Sequence, residues 1–170
     1  MLPKIFAIAV FVSLAALSPA RAESLEQAVQ PLGPGAALPD FVFENAHGQS
    51  LRLADFRGRA VVLNLWASWC APCIKEMPSL DRLQAAMGKS LAVIALDEER
   101  NSGTDVTAAF FKRHEIGSLA VYNDPSGRVA SLLHAPGLPA SYLIDARGRV
   151  VGRVDGGADW ATPEAMAYIK

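Results

Sequence analysis

Cysteine, histidine and surplus charge are all scarce in this sequence, and each scarcity excludes a class of protein. Two cysteines in 170 residues cannot build the multiply stapled scaffold of a small secreted domain. The three histidines, His47, His114 and His134, include no pair at ligand spacing, so a closed four-ligand zinc site lacks donors. Each is expected as a solvated surface residue. With 16 Lys+Arg against 17 Asp+Glu the formal net charge is −1, and no basic stripe runs along the chain. Nucleic acid is therefore not an expected partner. Internal repeats and low-complexity tracts are also missing. Gly88-Lys89-Ser90 ends like a phosphate-binding loop, but the required first glycine would fall at Leu83.

What is present is a core-forming composition, 51% hydrophobic, at a length that suits one domain plus a short extra segment. Residues 1–22 read as a signal peptide. Lys4 supplies the positive start, Ile5 to Leu17 the apolar stretch, and Ala20-Arg21-Ala22 a small-x-small cleavage site. An uncleaved anchor is the alternative, but Pro19 and Arg21 stop the run short of the about 20 apolar residues that span a bilayer. Residues 23–37, with Pro31, Gly33, Pro34 and Gly35, have the composition of a linker. Residues 38–170 form the expected domain.

Within it, Phe41 and Phe43, a turn at His47-Gly48, then Leu51 and Leu53 predict an antiparallel hairpin. Ala60–Trp66 is a nearly continuous apolar run of strand length. Ile74, Met77, Leu80, Leu83 and Met87 recur at helical spacing up to Gly88, and Leu91–Leu96 is a second buried strand. Strand, helix, strand implies a right-handed parallel unit. Asp97-Glu98-Glu99-Arg100 is expected as a solvated loop. A helix over 106–115, a strand over 120–122 and a short helix near 128–133 follow. Ser141–Ile144 and Arg149–Val154 flank a turn and must pair antiparallel, and Thr162-Pro163-Glu164 opens a last helix. The class is α/β, a mixed central sheet with helices on both faces.

Cys70 and Cys73 lie between the buried strand and the amphipathic helix, as Trp69-Cys70-Ala71-Pro72-Cys73. Pro72 suits the first turn of a helix, which puts Cys70 at the N-terminus, where free N–H groups and the helix dipole favour an anion. That thiol is expected to ionise more readily than a free one, with Cys73 one turn further in. A loop this short makes a poor structural staple. A C-x-x-C pair in this strand-to-helix context points to thiol–disulfide exchange, with Cys70 attacking and Cys73 resolving.

Trp66–Pro78, WASWCAPCIKEMP, resembles the active-site segment of the TlpA/ResA group of thioredoxin-like proteins, exported thiol–disulfide oxidoreductases of bacteria. Gly137–Asp145, GLPASYLID, resembles their cis-proline segment, and Asp55–Trp66, DFRGRAVVLNLW, matches the approach to the cysteines. The closing ADWATPEAMAYIK is most similar to the TlpA branch. The resemblance implies a thioredoxin-like fold with an added N-terminal β-hairpin and a redox-active disulfide between Cys70 and Cys73. By it, Pro139 is the cis-proline and Leu138 presents backbone to substrate. Asn64 takes the place of a buried proton-transfer aspartate, and Glu76 is the acid that serves instead. Trp69 covers the thiol and contacts partners. It also implies reduction of disulfides in periplasmic proteins of respiratory-oxidase copper-site assembly or cytochrome c maturation, and recharging by a membrane thiol donor. No cofactor and no metal site are implied, and the membrane is a partner only if the N-terminal segment is retained. Two alternatives stay open: a DsbE-like reductant of apocytochrome c, and a carrier that holds copper(I) on the same two cysteines.

Overall fold

In a computed structural model that describes residues 24–33 and 36–170, the chain begins with the one-turn helix α1 (Leu25–Ala28), capped by Ser24, and strand β1 (Gln30–Pro31). The hairpin β2 (Phe43–Asn45) and β3 (Ser50–Leu51) follows, then β4 (Ala60–Trp66), helix α2 (Ala71–Met87) and β5 (Leu91–Asp97). The second half holds α3 (Thr104–Arg113), β6 (Tyr122–Asn123), α4 (Val129–Leu132), β7 (Ala140–Ile144), β8 (Val150–Asp155) and α5 (Pro163–Ile169). The expected signal segment, residues 1–22, lies outside the described residues.

Among the described residues eight strands form one sheet in the order β1-β8-β7-β4-β5-β6-β2-β3. β4, β5 and β6 are parallel, while β7 pairs antiparallel with both β4 and β8. The mixed sheet read from the sequence is the one observed, and the hairpin stands at its edge beside β6. Strand alternation explains the two cores. Along β4, Val61, Leu63 and Leu65 point to one face, with Phe43, Phe56, Tyr142 and Val129. Val62 and Trp66 point to the other, with Met77, Leu80 and Leu83 of α2 and Phe110 and Phe111 of α3. Trp66 packs its ring 4.7 Å from Phe110 and 5.9 Å from Phe111, contacts worth about 0.5–1.5 kcal/mol beyond area burial. The three longest helices thus contribute to one core, whereas α4 alone among the α-helices serves the other.

Three expectations need correction. The composition of residues 23–37 reads as a linker, yet part of that segment belongs to the domain. Leu25 and Val29 are buried in the α2-side core, and β1 pairs with β8. A four-residue helix and a two-residue strand are too short to leave a periodic signature. The Asp97–Arg100 charge run is not simply solvated: Asp97 and Glu98 are buried, because β5 carries its pairing through Asp97 and the Glu98 N–H donates to the Trp66 carbonyl (2.8 Å). The strand expected at 120–122 is observed at Tyr122–Asn123, where the register opposite Leu96 and Asp97 sets it. His47, His114 and His134 are exposed.

The register brings four segments to one end of the sheet. Leu65 stands opposite Ala140, so the chain entering β7 at Pro139 lies beside the end of β4 that leads to the cysteines. Trp66 stands opposite Asp97, and Asp97 opposite Asn123, so the β5 and β6 ends converge there too.

Candidate functional site

β4 ends at Trp66, and a turn closed by the Cys70 N–H to the Ala67 carbonyl (3.1 Å) delivers Cys70 to the cap position of α2. Pro72 falls in the first turn, where a missing N–H is harmless. Cys70 and Cys73 are joined as a disulfide, S–S 2.03 Å, and the Cys73 N–H donates to Cys70 Sγ (3.4 Å). The helix N-terminus therefore already addresses the sulfur with a backbone donor, the arrangement that stabilises a thiolate once the bond is reduced. Cys70 is 5% exposed and Cys73 is fully buried, so in this oxidised state only Cys70 reaches the surface, and narrowly. Trp69, by contrast, is 70% exposed and is the most exposed of the large apolar side chains among the described residues.

Glu76 lies one turn beyond Cys73 on α2 and is buried, at 4% exposure. A carboxyl in the first turns of a helix usually faces water, and this one faces the sheet. The reason is the alternation along β4, which puts Asn64 between Val62 and Trp66 on the side covered by α2. Asn64 Nδ2 donates to Glu76 Oε1 (2.8 Å) and to Ser141 Oγ (2.8 Å), Ser141 being its register partner on β7. The other oxygen, Oε2, accepts from the Ala158 N–H (2.9 Å) and from Trp160 Nε1 (3.1 Å). Burial pushes the Glu76 carboxyl above its ordinary value, and these three donors, Ala158 foremost, pull it back. The opposed effects leave a carboxyl that is desolvated yet hydrogen-bonded at both oxygens.

Leu138 and Pro139 lead into β7 beside the end of β4. The Leu138–Pro139 peptide bond is cis, Pro139 is buried, and Leu138 is half-buried against both cores. The Pro139 carbonyl accepts from the Gly156 N–H (2.9 Å), which ties the proline loop to the segment after β8.

The sequence-derived residues Cys70, Cys73, Glu76, Trp69, Leu138 and Pro139 therefore share one end of the molecule. Sequence reasoning missed the partners of Glu76. Ser141 is legible in retrospect, since antiparallel pairing of β4 with β7 sets it opposite Asn64. Ala158 and Trp160 leave no such signal: they act across more than 80 positions from a loop without periodicity.

A second buried carboxylate group lies at the β5 and β6 ends. Glu98, 8% exposed, accepts from the Ala130 N–H (2.9 Å), and its carboxyl is pushed up to about 7 by burial and by the charges of Asp124 and Asp97. Asp97 is raised too, by burial, against hydrogen bonds from Thr107 and Glu99. Ser68, two residues before Cys70, donates from its hydroxyl to the Glu99 carboxylate, which joins this loop to the cysteine turn. Among the described residues no helix is long and apolar enough to cross a membrane.

The profile of the AhpC/TSA family matches residues 34–153. The ResA thiol–disulfide oxidoreductase of Bacillus thuringiensis subsp. konkukian is 34% identical over 123 residues, which cover 72% of this chain and 69% of the relative. Among solved structures, a candidate DsbE thiol:disulfide interchange protein from Chlorobium tepidum superposes with a TM-score of 0.64 at 31% identity, covering 75% of this chain and 88% of the other. The exposed lipoprotein thioredoxin of Streptococcus pneumoniae gives 0.60 at 27% identity, covering 71% and 91%. A disulfide capping the central helix, on a fold shared with these proteins, makes this chain a thioredoxin-like member of the AhpC/TSA family and a thiol–disulfide oxidoreductase of the ResA type.

Proposed function

We propose that the protein is an exported reductant that opens disulfides in partner proteins outside the cytoplasm. The observation that carries this reading is the Cys70–Cys73 disulfide at the cap of α2 with the buried Glu76 carboxyl one turn on. In the reduced protein the Cys70 thiolate attacks one sulfur of the partner disulfide. A mixed disulfide forms, and the first partner sulfur leaves as a thiolate. Cys73 then loses its proton to the Glu76 carboxylate, directly or through a water, and attacks Cys70 Sγ. The Cys70–Cys73 bond forms, the second partner thiolate leaves, and two electrons have passed to the partner. Exposed Trp69 and the Leu138–Pro139 loop supply the docking surface, with the Leu138 backbone pairing strand-like with the partner chain.

Export rests on residues 1–22, and the domain proper begins after them. The TlpA/ResA resemblance supports partners in respiratory-oxidase copper-site assembly or cytochrome c maturation, with a membrane thiol donor restoring the dithiol. A Cys73→Ser variant tests the whole reading, because it stops the reaction at the mixed disulfide. Expressed in a bacterial host and isolated under acid quench, it should carry dithiothreitol-sensitive adducts with exported proteins, identifiable by mass spectrometry. Adducts confined to cytoplasmic proteins, or none above a Cys70→Ser/Cys73→Ser control, would overturn it.

A further inference from the structure

Glu76 is served by two parts of the chain besides its own helix: Asn64 on β4, and the segment Gly156–Trp160 that joins β8 to α5. That short segment is fastened at alternate residues. The Gly156 N–H reaches the Pro139 carbonyl (2.9 Å), and the Ala158 N–H and Trp160 Nε1 reach Glu76. The Trp160 N–H donates to Ser79 Oγ (3.1 Å), whose hydroxyl donates to the carbonyl of Glu76 itself (2.7 Å). Gly157 lies against the cysteine turn: a Cβ built there would stand 3.6 Å from the Pro72 carbonyl and 3.9 Å from Glu76 Oε2. The proline loop, the cysteine turn and the acid are therefore held by one strap, anchored by a fully buried indole.

We propose that Trp160 is the positioning residue of this site: its indole N–H, with the Ala158 peptide N–H beside it, fixes the Glu76 carboxyl and sets the pH at which that group takes up a proton. The inference rests on the reading of Glu76 as the proton acceptor for Cys73. Its physical basis is the sign of the contacts. All three partners of Glu76 are N–H donors, which favour the carboxylate, while burial favours the neutral acid. Among the described residues no cation forms an ion pair with it. The charged groups around it are Lys75 and Arg82 of α2 and Asp159 of the strap, which line the cleft above it, together with the titratable thiols of Cys70 and Cys73 on its own helix. From β4 and β7 it is faced by the neutral Asn64 and Ser141. Removing one donor must therefore raise its protonation midpoint, by roughly one pH unit for a hydrogen bond to a charged group.

The test compares wild type, Trp160→Phe, Glu76→Gln and the double variant, each as the full chain. Two readouts are taken: the pH dependence of reduction of a model disulfide, and, in the oxidised protein, the carboxyl ¹³C shift of Glu76 against pH. Trp160→Phe should move the Glu76 midpoint and the matching limb of the rate profile upward by about one pH unit, whereas the double variant should keep the profile of Glu76→Gln alone. A Trp160→Phe midpoint equal to wild type, while Glu76→Gln abolishes that limb, overturns the role of Trp160 and leaves the Glu76 reading standing. A limb that survives in Glu76→Gln overturns the Glu76 reading, and this inference with it. If Trp160→Phe does not fold, Ser79→Ala, which only loosens the anchor of the strap, must shift the midpoint in the same direction. No shift there overturns the proposal.

Discussion

A thiol's worth as a nucleophile is decided by the few groups around it, and here the two sulfurs have different surroundings. Cys70 caps α2 and accepts the Cys73 N–H, while Cys73 is fully buried within the helix. The dipole and the free N–H groups therefore act chiefly on Cys70. While its pKa stays above the ambient pH, each unit by which it falls raises the thiolate fraction by up to about tenfold. In single-cysteine variants, Cys70 (in Cys73→Ser) should alkylate at least about tenfold faster at pH 7 than Cys73 (in Cys70→Ser), and equal rates would remove the assignment of roles. Trp69 invites a different measurement. An indole this exposed beside a reactive sulfur gains its energy only when a partner covers it, at about 2 kcal/mol or more for a docking residue. Trp69→Ala should raise KM for a protein disulfide roughly tenfold or more. It should leave reduction of a small aromatic disulfide within about twofold of wild type. Equal losses on both substrates would make Trp69 part of the chemistry instead of the docking surface.

At the scale of elements, α1 and β1 lean on a single glycine. A Cβ at Gly152 would fall 2.4 Å from Val29 Cγ1 and 3.4 Å from the Gln30 carbonyl, so Val29 packs over β8 in the space that a side chain there would take. Gly152→Ala should destabilise the protein by about 1–3 kcal/mol, read from the urea midpoint. Adding Val29→Ala should restore part of the loss, because it removes the clashing methyl; strictly additive losses would contradict the close approach. This contact also shows where reading the sequence stops. β4, α2 and β5 were legible because each is long enough to display its period, and the C-x-x-C pair was legible because its chemistry depends on the junction between two such elements. α1 and β1 are too short for that, and what fixes them is a tertiary contact 123 positions away. Glu76 falls between these cases. Its spacing from Cys73 is local and readable, but its burial depends on Asn64 twelve positions earlier and on Trp160 eighty-four positions later. Asp97 and Glu98 were misjudged for the same reason, since a charge run at a strand end carries no mark of the strands that will cover it.

At the scale of the whole molecule, the active end of the sheet is also where the fold stores its ionisable strain. Glu76, Asp97 and Glu98 all sit there, each raised above its ordinary value chiefly by burial. The consequence for stability follows from linkage. Glu98 releases its proton near 4.5 in the unfolded chain and near 7 in the folded protein. Between those values the folded state binds the proton that the unfolded state has lost. The resulting stabilisation is complete below about pH 4.5 and is lost as the pH rises through about 7. Asp145, a half-buried group held low by the Arg149 peptide N–H and guanidinium and by the Arg147 N–H, has the opposite sign, but it acts below its ordinary 3.8 and so outside this window. The oxidised protein should therefore be more stable to urea at pH 5 than at pH 8, with Glu98 contributing roughly 2–3 kcal/mol to the difference. Glu98→Gln keeps an acceptor for the Ala130 N–H and abolishes the titration, so it should remove most of the slope. The remainder belongs to Glu76 and Asp97 and should carry the same sign. Wild-type stability that rises from pH 5 to pH 8, or a slope unchanged in Glu98→Gln, would show that the acidic end of the sheet is relaxed by water. It would then carry no energetic cost for holding its carboxyls beside the disulfide.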